Sequence, residues 1–119
     1  MANFGAIQII GWDNEGCHMR PDGTYVLSII LSAMAPEDWM RFFDQLGFLR
    51  VHERAPGYPQ ARVTGNRIQF ETKDPNEVQG IVNDIKADVE QANQVIRERR
   101  AEVERASQPL RDFLNTIKL

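Results

Sequence analysis

One cysteine, Cys17, is all that 119 residues carry, so the chain closes no disulfide within itself and must hold its fold by packing. A dominant charge is also lacking: 14 Lys and Arg stand against 17 Asp and Glu, a net charge of -3. That balance gives phosphate backbones and anionic lipid no general attraction, and a nucleic-acid partner would need a local basic patch. No apolar run approaches the ~20 residues of a membrane span, and the opening residues lack a basic segment ahead of a long apolar one. A cytoplasmic protein with no membrane partner is therefore expected. Nor is there a glycine-rich phosphate loop, a GxSxG elbow, an HExxH helix or a spaced pair of catalytic carboxylates. Accordingly, no catalytic residue, cofactor or metal ligand is assigned, and a non-enzymatic role is expected.

What the chain does have is 42% hydrophobic residues, enough for the core of one domain. The β-branched run "GAIQIIGW" from Gly5 predicts a strand, and "DNEG" from Asp13 predicts a turn. Pro21, Asp22 and Gly23 form a second turn signal, after which "TYVLSIILSAM" from Thr24 reads as a central strand. Pro36 opens a helix with Trp39, Phe42, Phe43 and Leu46 on one face and Gly47 placed to cap it; "FLRV", residues 48–51, is expected to be a short strand. In "ARVTGNRIQFET" the alternation around Gly65 and Asn66 predicts a hairpin with a type II′ turn. Asp74, Pro75 and Glu77 then give a cap, a first-turn proline and a capping-box partner for a second helix.

Aligning the helix starts at Pro36 and Pro75 matches Trp39 with Val78, Phe42 with Ile81, Phe43 with Val82 and Leu46 with Ile85. The expected fold class is α+β: a mainly antiparallel sheet of about four strands with helices on one face; the alignment allows a ββα-ββα pseudo-repeat, and the alternative is that any two amphipathic helices opened by proline share this spacing. Beyond Ile85 the apolar positions stay in heptad phase through Val89, Ile96, Val103, Leu110 and Ile117. Arg99 falls in a core slot and thins the seam, and Pro109 is expected to interrupt or kink the helix near Ala106 or Ser107.

A helix over residues 76–107 would span roughly 48 Å, against a body only ~30 Å across, so part of it must project. The expected organisation is a compact domain over residues 1–95 and, over 96–119, a projecting helical arm with a terminal helix, an association segment rather than an independent domain. Val95, Ile96, Val103, Leu110, Phe113, Leu114 and Ile117 are the candidate protein-interaction residues. Their partner is expected to be a second copy of the chain in a homodimer, with another protein as the alternative, and a fold-back of residues 109–119 onto the arm as the rival arrangement. The pairing direction of the arms stays open.

Arg97, Arg99, Arg100 and Arg105 are diluted by Glu98, Glu102 and Glu104, which argues against a nucleic-acid strip. Cys17 and His18 point to opposite sides of an extended chain and do not chelate one ion. The function expected is an interaction or assembly protein that homo-oligomerises through its C-terminal helices. The alternative is a small-molecule or peptide binding module using the sheet and helix core and the loop 52–60, with His52, Arg54 and Tyr58 as ligand residues.

Overall fold

The computed structural model describes residues 5–54 and 56–118. Its architecture is α+β, one antiparallel sheet with two helices packed on a single face. Strand β1 (Ile9–Trp12) pairs antiparallel with β3 (Tyr25–Leu31), and the two-residue β2 (His18–Met19) pairs with the start of β3. β1 and β2 thus lie end to end along one edge of β3, separated by the turn that Asp13 opens. Ile10 is the extra residue of a bulge, since Ile9 faces Leu31 while Gly11 already faces Ile30. Asp22 accepts the Thr24 N–H and Gly23 sits at φ 87°, which closes the turn into β3.

Helix α1 (Glu37–Glu53) follows. The hairpin β4 (Arg62–Thr64) and β5 (Arg67–Thr72) turns at Gly65, φ 61°; Asn66 keeps a negative φ, as a type II′ turn requires. β5 lies against β3, giving the strand order β1-β3-β5-β4. A single 3-10 turn, Pro75–Glu77, leads into α2 (Val78–Leu114). The element order is therefore a hairpin and a helix, twice, with the two inner strands paired at the centre.

Period-two alternation decides which face is buried. Ile29 and Leu31 on β3, Ile68 and Phe70 on β5 and Val63 on β4 point to the helices. From α1 they meet Trp39 and Phe43, whose rings stack at 5.3 Å; from α2 come Ile81, Ile85, Val89, Ala92 and Ile96. On the other face Ser28 is buried beneath the turn, with its hydroxyl on Asp13, which also takes Arg67 Nε at 3.0 Å. That hydrogen bond and charge hold the Asp13 carboxyl below its usual value.

Five local expectations are corrected. Residues 48–51 are not a strand: α1 continues to Glu53, and Gly47, rather than capping it, lies buried in its interior. The glycine is there for close approach, because a Cβ at this position would stand 2.9 Å from the Ala61 carbonyl oxygen. The capping box does not form either. Asp74 accepts the Asn76 N–H, but Glu77 bonds to the Thr72 hydroxyl, and that hydroxyl takes the Asp74 N–H in its place. In the aligned helix starts the matched positions do not share burial: Trp39 and Phe43 are buried where Val78 and Val82 are only partly so, and Ile81 and Ile85 are buried where Phe42 and Leu46 are not. The repeat lies in the topology, and the 3-10 turn at Pro75 shifts the phase of the second helix. Finally, α2 is assigned as one helix of 37 residues that runs through Pro109 instead of stopping before it.

The molecule measures 67 × 30 × 19 Å with a radius of gyration of 18.5 Å. A compact chain of this length would have a radius near ~13–14 Å, and the excess comes from α2, about 55 Å long.

Candidate functional site

α1 and α2 run in opposite directions, and polar contacts mark the length over which they touch. At the far end of α1, Arg50 reaches Asp88 at 3.0 Å and Asp84 at 3.5 Å, and Arg54 reaches Asp84 at 2.9 Å. Midway, Asn93 Oδ1 accepts both the Trp39 indole N–H and the Ile7 N–H at 3.0 Å, while its amide donates to the Ile7 carbonyl at 2.8 Å. Toward the start of α1, the Arg99 guanidinium lies 5.1 Å over the Phe42 ring and Arg100 pairs with Asp38 at 3.0 Å. The Arg99 that thins the heptad seam is thus a clamp onto α1. Two of the four arginines weighed as a nucleic-acid strip are engaged within the chain.

Past Arg100 the helix leaves the body. Residues 101–114 continue for about 21 Å, and the only side chains among them that are not freely exposed are Ser107 and Arg111. Val103, Leu110, Phe113, Leu114 and Ile117 are each more than half exposed. Residues 109–114 extend the arm and do not fold back along it. Two sequence candidates belong elsewhere: Ile96, 0% exposed, is part of the chain's own core, and Val95 is half-buried beside it. The arm therefore starts about one turn later than the 96 boundary expected; the outermost ends of the expected segments, 1–4 and 119, lie outside the described residues.

Helical phase explains the arm's chemistry. At ~100° per residue, the mean direction of Val103, Leu110, Phe113 and Leu114 falls within about 30° of that of Ile81, Ile85, Val89, Ala92 and Ile96. The stripe that closes the domain core runs on past the end of the domain, exposed among the described residues.

Side-chain hydrogen bonds bracket Pro109. It cannot donate to the Arg105 carbonyl, and its ring crowds that turn. Arg111 reaches back across it, with Nη2 3.1 Å from the Glu104 carbonyl oxygen and 2.9 Å from the Glu104 carboxylate, and 3.3 Å from Gln108 Oε1. Gln108 in turn donates to Asp112 at 2.8 Å.

The sequence-flagged loop residues divide. Tyr58 donates to Asp84, the carboxylate that Arg54 also holds. His52 sits in the last turn of α1, exposed, edge-on to Phe48 at 4.4 Å, and takes no part in that cluster. A shallow groove of about 420 Å³ lies beside Arg54, Tyr58 and Asp84. Its charges are mutually satisfied. Burial raises the Asp84 carboxyl, but hydrogen bonds from Tyr58 and Arg54 and the nearby Arg50 outweigh it and leave the group below its usual 3.8. Burial, with the Asp84 bond second, pushes the Tyr58 hydroxyl up to about 12. Asp88 goes the other way, its burial raising the carboxyl in spite of Arg50.

Asn93 was missed, and so was the connected set of Arg50, Asp84 and Asp88. Asp88 carried a signal, being an acid three residues after Ile85 on the buried side of the helix, which demands a partner. Arg50 was hidden by the strand expected over 48–51. Among the described residues no group of three or more His, Cys, Asp or Glu could hold a metal ion, and no helix is long and apolar enough to cross a membrane. No protein-family model matches the chain, and neither a curated protein nor a solved structure is detectably similar to it.

Proposed function

We propose that the chain is an assembly protein that self-associates into a homodimer through the helical arm. The observation that carries this reading is the apolar stripe of Val103, Leu110, Phe113 and Leu114, which prolongs the core-facing side of α2 for two heptads beyond the body, with the exposed Ile117 just past its end. An exposed stripe of this size covers several hundred Å², the scale of a functional contact patch on a soluble protein. At ~25 cal/mol per Å², leaving it in water forgoes several kcal/mol that a partner would recover. Two such faces bury on the order of 1,000 Å² together, the small end of specific interfaces, so association should be reversible.

The alternative, a binding module at the groove beside Tyr58, has less support. A ligand there would have to displace Arg54 or Tyr58 from Asp84, exchanging one satisfied contact for another.

Light scattering across a hundredfold range of concentration tests the reading. The full chain should move from monomer toward dimer mass as concentration rises, and Leu110→Glu with Phe113→Glu should remain a monomer with an unchanged folded signal. A wild-type chain that keeps the monomer mass throughout would remove the proposal.

A further inference from the structure

Taking the homodimer of the preceding section as its basis, we infer that the two arms pair antiparallel, in a register that brings residue i of one protomer level with residue 216 − i of the other. The first argument is steric. Because the arm's stripe faces the same side as the core stripe, a partner helix seated on it lies 8–10 Å away on the side where α1 and the sheet stand. Were the partner parallel, its own residues 78–100 would run level with the body of the first protomer and occupy the space that Trp39, Phe43 and the sheet already fill. The helix of an antiparallel partner has no such conflict. Its helix ends at Leu114, which in this register lies level with position 102, short of the Asp38 to Arg100 pair that ends the body.

Side-chain size supplies the second argument, independent of the first. Antiparallel pairing alternates the two seam positions across the interface, so Val103 meets Phe113 of the partner subunit and Ala106 meets Leu110 of the partner subunit, and the reverse. Large then packs on small in all four layers. Parallel pairing would set each residue on its own copy, phenylalanine on phenylalanine and alanine on alanine, with crowding in one layer and a void in another. The stretch from Arg100 to Leu114 is thus long enough for two heptads of overlap and no more, and its sequence is complementary to itself read backwards.

Spin labels decide it without touching the seam. In a Cys17→Ser background, labels are placed singly at Gln94→Cys and at Arg105→Cys, both exposed positions, and distances between protomers are read by pulsed electron resonance. The inferred register sets the Gln94 positions about 42 Å apart along the axis and the Arg105 positions only about 9 Å apart along it, so a distance beyond about 40 Å is expected at the first and one below about 25 Å at the second. Equally short distances at both positions would establish parallel arms and overturn the inference. A dimer by light scattering with long distances at both would also overturn it, since the contact would then lie off the arm. A monomer mass with no dipolar signal at either position removes the dimer itself, and the register with it.

Discussion

Asn93 on α2 and Trp39 on α1 are joined at 3.0 Å through a carboxamide oxygen that also holds the Ile7 N–H, so one polar side chain ties both helices and the segment leading into β1 together. Trp39 is wholly buried, and among the described residues its indole N–H has no other acceptor. Replacing Asn93 with Leu removes the acceptor from two donors at once. A loss of about 1–3 kcal/mol is expected for a buried donor left unmade, read as a lower urea midpoint with an unchanged slope. In a Trp39→Phe background the same substitution should cost less, because one of the two donors is already gone.

Two glycines in helices should respond to the same change with opposite sign. Gly80→Ala meets nothing within 4 Å and should stabilise the protein by about 0.5–1 kcal/mol through helix propensity. Gly47→Ala drives a methyl against the Ala61 carbonyl oxygen and should lower the melting temperature despite the same propensity gain. Thermal unfolding of the two variants side by side checks both signs, and a stabilised Gly47→Ala would refute the close contact between α1 and the chain entering β4.

The pH dependence of the Asp84 cluster has two branches. Asp84 is held below 3.8, so it binds fewer protons folded than unfolded. Its contribution is whole above about pH 4 and is lost as pH falls through its lowered value. Tyr58 is raised from 10.0 to about 12, so the folded state favours the neutral phenol, and stability should fall as pH rises from 10 to 12. Tyrosine absorbance during an alkaline titration should show a step near pH 12 that Tyr58→Phe abolishes. Asp84→Asn should be less stable at neutral pH and show a shallower decline below pH 4; an unchanged acid slope would mean the carboxylate is not held as described.

Pro109 and Arg111 form the second local test. Pro109→Ala restores a donor to the Arg105 carbonyl and should gain up to ~3 kcal/mol locally, seen as slower amide exchange over residues 104–114. Arg111→Ala removes the bridge to Glu104 and should speed exchange over the same stretch. Equal exchange in all three proteins would mean that the turn is stable without either device.

Most of the fold was legible because its signals are short in range. The Gly65-Asn66 hairpin, the turn at Gly23 and the aromatic face at Trp39 follow from backbone freedom and periodicity within a few residues. What failed depended on groups distant in sequence. Gly47 resembles a helix stop until Ala61 is placed against it, and Glu77 resembles a capping partner until Thr72 is found closer. Pro109 argued for an end of the helix because the rule counts the lost backbone bond and not a guanidinium reaching back from Arg111. At the arm, the heptad phase identified Val103, Leu110 and Phe113, but where the body stops depends on Ile96 and on the clamps at Arg99 and Arg100, which no local pattern reveals.

One uninterrupted helix that first walls the core and then leaves it acts as a ruler with a built-in compass. Every residue between Arg100 and Val103 sets both a distance and a bearing: one inserted residue would advance the arm by about 1.5 Å and swing its apolar stripe by about 100°, away from any surface it had faced. Seven inserted residues would restore the bearing to within about 20° and change only the reach, by about 10 Å. In the homodimer proposed above, insertions of seven or eleven residues would keep the stripe on its bearing, so the spacing between the two bodies would change in steps of about 10 Å or more.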